Sequence, residues 1–191
     1  MGRPKLHLPL GSSTVLASTV DAALRAGLRV IIVRKPDDPR VETYAVPDRV
    51  LVAINPEPER GMLSSLRAGL ALAEETRSAA GAFFFIPGDM PLVRTSTYEL
   101  LLAVGHDGPL IAAFRGRRGH PVFMPAGFRA ALLGLPDDGK LRDLIDAADP
   151  RLVETGDEGA VTDIDLPDEY EKAAALATKI LSSSCIPRVG A

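Results

Sequence analysis

The chain has 191 residues, 46% hydrophobic and 25% charged, with a formal net charge of −3. That length holds one domain with a substantial core, and the acidic balance speaks against nucleic-acid binding, which needs a basic stripe. A single cysteine, Cys185, excludes an internal disulfide, and no apolar run nears the ~20 residues that a bilayer demands.

Residues 13–26 carry Val15, Leu16, Val20, Ala23 and Leu24 at helical spacing, with Ser12 or Ser13 as cap and Gly27 as stop. A short buried strand is expected at 29–33, a loop at 35–39, and a second strand at 49–54 closed by Asn55-Pro56. Residues 62–76 are helical, with Leu63, Leu66, Leu70 and Ala73 on one side. Next comes Ala-Phe-Phe-Phe-Ile at 82–86, five apolar residues in a row, the pattern of a central parallel strand covered on both faces. A helix at 95–104 and a strand at 110–114 follow, then an Arg/Gly-rich turn and a partner strand at 121–124. Helices at 128–133, 140–147 and 168–181 enclose a short strand at 151–154, and the tail 182–191 has no periodicity and is expected to fray. This alternation predicts one three-layer, doubly wound α/β domain over residues 1–181 with a mostly parallel sheet. Gly11, Ser12 and Ser13 break the N-terminus before any signal-peptide core develops, so a cytoplasmic protein with no membrane partner is expected.

The chemistry concentrates in connections. Gly88-Asp89-Met90-Pro91 follows the Phe-rich strand, and open α/β sheets place ligands just past such strand ends. Pro87 and Pro91 stiffen the turn, and Gly88 admits a ligand close to the backbone. Asp89 has no cationic neighbour in its stretch, which points to a metal–phosphate group; a solvated polar turn is the plain alternative. Three further clusters stand beside buried elements. They are Gly2-Arg3-Pro4-Lys5, then Asn55 with Gly61 to Arg67, then the 115–121 turn together with 162–168. The set excludes other chemistries. There is no Cys pair or His-x-x-x-His spacing for zinc, no P-loop, no dinucleotide fingerprint and no nucleophile context around a histidine. Asp137, Asp138 and Asp143 read as surface charges flanking a helix.

In order and at similar spacings, MGRPKLHLPLGSSTVL, NPEPERGMLSSLRAGL, PGDMPLV, RGHPVF and TDIDLPDEY resemble the molybdenum-cofactor nucleotidyltransferases of the molybdopterin cytidylyltransferase type. These sit within the wider sugar-nucleotide-type NTP transferases. The resemblance covers nearly the whole chain. It implies transfer of CMP or GMP from CTP or GTP to the phosphate of molybdopterin, with pyrophosphate leaving. On that resemblance Asp89 holds Mg²⁺, with Asp165 as the favoured second carboxylate and Asp163 as the other choice. Lys5 would meet the phosphates, with Arg3 a weaker phosphate ligand. Asn55, Gly61, Ser64 and Ser65 would read base or ribose, and Gly88 and His120 would shape the site, His120 on the acceptor side. Arg115, Arg117 and Arg118 would meet an anionic phosphate of the acceptor. A molybdoenzyme or its chaperone is an implied partner.

One departure stands out. Family members open with a strand and a Gly-rich phosphate loop ahead of the Met-Gly-x-x-Lys stretch, and this chain begins at what would be the motif's internal Met. A longer natural protein or a truncated form is therefore expected, lacking the backbone N–H phosphate cradle and one central strand. The alternatives are a non-catalytic relative that keeps the acceptor pocket, and a transferase acting on another phosphorylated acceptor such as a sugar phosphate.

Overall fold

A computed structural model describes residues 5–45, 48–76, 81–105, 107–164, 169–171 and 173–175. A 3-10 turn at Lys5–His7 leads into a small antiparallel hairpin of β1 (Pro9–Leu10) and β2 (Ser13–Thr14), then α1 (Val15–Arg25). The cap is neither Ser12 nor Ser13. Ser13 is taken into the hairpin, and the Thr14 hydroxyl accepts the Ala17 N–H at 3.2 Å. Gly27 follows the helix at φ +79, a conformation that suits glycine.

Strands β3 (Val30–Arg34) and β4 (Val50–Ile54) pair in parallel. The stretch expected as a loop between them contains a 3-10 segment, Pro39–Tyr44. A mixed four-stranded sheet has the order β5 (Phe83–Phe85), β7 (Arg117–Met124), β6 (Leu110–Phe114), β8 (Arg151–Glu154). In it β7 runs antiparallel to both neighbours, while β6 and β8 are parallel. The remaining helices are α2 (Met62–Glu75), α3 (Thr95–Val104), α4 (Phe128–Leu133) and α5 (Leu141–Ala147). Helical turns at 169–171 and 173–175 fall in the predicted last helix; the rest of that helix and the tail lie outside the described residues.

Alternation across the strands builds three layers. Phe83, Phe85, Ile111, Val122 and Met124 pack with Leu63 and Leu70 of α2, Leu132 of α4 and Ile145 of α5. Phe84, Leu110, Ala112 and Phe123 face the other way, onto Leu101 of α3. β3 obeys the same rule. Ile32 joins Leu16 and Val20 of α1, while Val33 sits 3.1 Å from where a Cβ on Gly69 of α2 would stand. The fold is α/β, as expected, with one particular overturned: β5 is half-buried along its length, and its only strand partner among the described residues is the antiparallel β7. Among those residues no strand links β3 to β5. The two groups of strands are held together by helices instead, since Ala22 and Ala23 of α1 share a cluster with Val30, Phe84 and Ile86.

Candidate active site

Asp89 stands beyond the end of β5, in a turn fixed from three sides. Thr19 of α1 donates its hydroxyl to the Gly88 carbonyl at 3.1 Å, and Ile164 donates its N–H to the Asp89 carbonyl at 3.1 Å. Met90 and Val93 are buried against α1 and Tyr98. Leu16 and Leu6 close the space over Gly88, lying 3.2 and 3.4 Å from where its Cβ would be. The sequence suggested that Asp89 lacks a cation, and here the structure corrects it: Lys5 Nζ lies 2.6 Å from Asp89 Oδ2. The side chains are 33% and 16% exposed, so the pair is shielded without being sealed. The second oxygen, Asp89 Oδ1, is buried and has no hydrogen-bond partner among the described residues.

His120 on β7 belongs to the same corner. Its ring packs edge-on against Phe85, centroids 5.4 Å apart. Burial lowers its pKa, outweighing the opposing influence of the Phe85 backbone and of the charges of Asp89 and Asp163, so the neutral imidazole is favoured. Nδ1 is buried without a partner among the described residues. Asp163 is exposed, and its neighbour Ile164 is fully buried. Asp165 and Arg3 lie outside the described residues. Among the described residues no group of three or more His, Cys, Asp or Glu side chains is arranged to hold a metal.

Asn55, Gly61, Ser64 and Ser65 lie together where β4 leads to α2. Asn55 is 2% exposed; its Nδ2 donates to Ser64 Oγ at 2.8 Å and Ser65 Oγ at 3.0 Å, and its Oδ1 accepts the Glu57 N–H at 3.0 Å. Ser64 in turn donates to the Gly61 carbonyl at 2.7 Å. Gly61 at φ +83 makes the turn into α2. Asn55 and Ser64 line a cleft of about 280 Å³ together with Arg60 and Arg67. Asp137, expected as a plain surface charge, bridges both arginines. Its carboxyl is held below the usual value by Arg67 first and Arg60 second.

The arginine turn is less open to a ligand than expected. Arg118 pairs with Asp146 at 2.6 Å, the Arg115 guanidinium lies 5.1 Å above the Phe114 ring, and Arg117 is exposed. Sequence reasoning missed Asp157, 1% exposed. It accepts from the Arg94 N–H at 2.8 Å and the Thr97 hydroxyl at 2.6 Å, both at the start of α3, and from the Gly159 N–H at 3.0 Å. Burial, then the Asp157 charge, raises the pKa of neighbouring Tyr98. Nothing in Thr-Gly-Asp-Glu-Gly distinguishes this carboxylate from a turn residue.

The description of the MobA-like NTP transferase domain matches residues 1–153. The chain belongs to that family. It is 25% identical over 181 residues to the molybdenum cofactor cytidylyltransferase of Escherichia coli K12, covering 94% of this chain and 92% of that protein. Rv0371c of Mycobacterium tuberculosis H37Rv, solved as a complex with manganese, superposes with a TM-score of 0.71 at 27% identity, over 91% of this chain and 93% of the other. A nucleotidyl transferase from Methanothermobacter gives 0.73 at 27% identity, over 92% and 86%. Membership of the family makes this a nucleotidyltransferase-type protein. No described helix is long and apolar enough to cross a membrane.

Proposed function

We propose that this MobA-like chain transfers a nucleotidyl group from CTP or GTP to a phosphate of a molybdopterin-type acceptor. An acceptor phosphate oxygen attacks the α-phosphorus, the bond to the β-phosphate oxygen breaks, and pyrophosphate leaves with that electron pair. The observation that carries the reading is the state of Asp89, one oxygen paired with Lys5 and the other buried and unpartnered beyond the end of β5. An orphaned buried carboxylate oxygen fits a divalent cation, and such a cation, when bound, neutralises triphosphate charge and orients the leaving group.

The chain's own groups do the rest. Lys5 is displaced from Asp89 toward the phosphates, where its ammonium offsets the charge that develops on the leaving oxygen. The Asn55–Ser64–Ser65 network holds the floor of the cleft rigid, which supports in-line positioning. Asp163 or Asp165 supplies a second carboxylate, and His120 borders the acceptor side. The 25% identity to the E. coli cytidylyltransferase supports CTP as the first donor to try.

Two measurements test this. Calorimetric titration of CTP and GTP with Mg²⁺ or Mn²⁺ is expected to give saturable binding of one nucleotide. Pyrophosphate release with molybdopterin is expected to fall about a thousandfold in Asp89→Asn, with the circular dichroism spectrum unchanged. Full turnover by Asp89→Asn removes the proposed role, and absence of binding by either nucleotide removes the activity.

A further inference from the structure

Lys5, Leu6 and His7 form a single 3-10 turn, and three residues per turn send successive side chains about 120° apart. Each of the three has its own partner. Lys5 Nζ lies 2.6 Å from Asp89 Oδ2. Leu6 packs with Leu16, Val20 and Val41 and reaches over Gly88, 3.4 Å from where a Cβ would stand. His7 Nε2 donates to Asp38 Oδ2 at 2.9 Å, since a carboxylate only accepts.

The His7 contact belongs to a longer line of support. The imidazole stacks on the Tyr44 ring, centroids 6.2 Å apart and planes at 27°. The Tyr44 hydroxyl shares a hydrogen bond of 2.7 Å with Thr14 Oγ1, the cap of α1. Asp38 is itself held, because Arg40 Nε donates to its other oxygen at 3.2 Å. Burial pushes the Asp38 carboxyl up, but the bond and charge of His7 and then those of Arg40 outweigh it, leaving it below its ordinary value. Val41, between Asp38 and Tyr44, is buried and docks this segment on Leu16 and Val20 of α1. The His7 side chain is 12% exposed, so water competes little for its bond.

Both members of the Lys5–Asp89 pair are thereby anchored to α1. Thr19 holds the Gly88 carbonyl and with it the Asp89 turn. Thr14, through Tyr44 and His7, holds the turn that carries Lys5. A lysine ammonium rides on a flexible four-carbon stem, so its reach is defined only as well as its main chain is.

We propose that His7 is a positioning residue: clamped by Asp38 and Tyr44, it sets where the Lys5 main chain stands, and so where the ammonium meets Asp89 and then the nucleotide phosphates. The phosphate half rests on the nucleotidyltransferase reading; the placement of Lys5 against Asp89 does not. His7 acts through Lys5, so its loss counts only while Lys5 is present.

The test uses the whole chain and two readouts. With CTP or GTP, Mn²⁺ and molybdopterin, His7→Ala is expected to lower kcat about tenfold and leave the nucleotide KM within about twofold, because a misplaced ammonium is felt mainly in the transition state. His7→Gln keeps a donor for Asp38 and is expected to recover most of the loss. In a Lys5→Met background His7→Ala is expected to cost nothing further, whereas a merely structural role multiplies the two losses. Independent losses, or a kcat unchanged by His7→Ala, overturn the inference. The second readout needs no turnover. It is the Lys5 ammonium resonance in a chain carrying ¹³C,¹⁵N-lysine, identified by its absence in Lys5→Met. This resonance is expected to stand apart from those of the exposed Lys35 and Lys140 and to move toward them in His7→Ala. A Lys5 resonance that His7→Ala leaves in place also overturns the inference. Asp38→Ala removes the other half of the clamp; it is expected to match His7→Ala in both readouts and takes its place if that variant fails to fold. A wild-type chain that releases no pyrophosphate removes the nucleotidyltransferase reading, and the resonance then decides the placement of Lys5 by itself.

Discussion

Lys5 pairs with one oxygen of Asp89, and the divalent cation is proposed to bind the other. The ammonium and the metal compete for one carboxylate, and the pair is partly shielded from solvent, so the competition is felt. Replacing Lys5 by Met removes the competitor while keeping the apolar stem. Lys5→Met is expected to bind Mn²⁺ about fivefold more tightly without nucleotide, the size of a partly exposed ion pair, and to lose most of its transfer rate. Calorimetry with Mn²⁺ alone checks the first half and pyrophosphate release the second. Unchanged Mn²⁺ affinity would mean that the ion pair does not stand in the metal's way.

The elements were legible wherever their boundaries are local. Helices α3 and α4 and strands β6 and β8 run as the periodicity of their residues predicts, and α2 ends one residue early. The errors came from tertiary pairing. Ser13 is drawn into the hairpin, so the cap passes to Thr14; the Phe-rich strand reads as buried on both faces, yet one of its edges has no strand beside it among the described residues. At the next level, β4 and α2 are joined by Asn55, which satisfies two hydroxyls and one backbone N–H at once. Asn55→Ala leaves the Glu57 N–H and both serines without their partner. Urea unfolding is expected to show a loss of about 2 kcal/mol, the range for deleting one side of a buried network. The same change should weaken nucleotide binding, because Asn55 and Ser64 line the cleft. A variant as stable as the parent would show that water replaces the amide.

At the scale of the whole molecule, two glycines dock the 3-10 turn Glu158–Val161 onto the site. Gly119 meets the Ala160 carbonyl, and Gly159 meets the Leu92 carbonyl just past the Asp89 turn; in both cases a Cβ would fall on backbone that cannot yield locally. Asp157 secures the same turn to α3 through the Arg94 N–H and the Thr97 hydroxyl. Gly159→Ala is therefore expected to cost about 3 kcal/mol or more, at the upper end of overpacking effects. The midpoint in urea should fall accordingly, and transfer should fall with it because Ile164 and Asp89 shift together. A fully stable Gly159→Ala would show that the turn has room to move.

What the sequence determined by itself is the local order of the molecule: which stretches are strands and helices, where the strand ends put Asn55 and Asp89, and which family the spacing of these turns resembles. Hydrophobic periodicity and turn residues act over a few positions, so they can be read without a fold. Tertiary structure alone decided which polar groups meet. It paired Lys5 with Asp89, bridged Arg60 and Arg67 through Asp137 and buried Asp157 under α3. Partners of this kind lie far apart along the chain. Their meeting depends on how closely backbones approach and how fully water is excluded, and neither leaves a periodic trace in the order of residues.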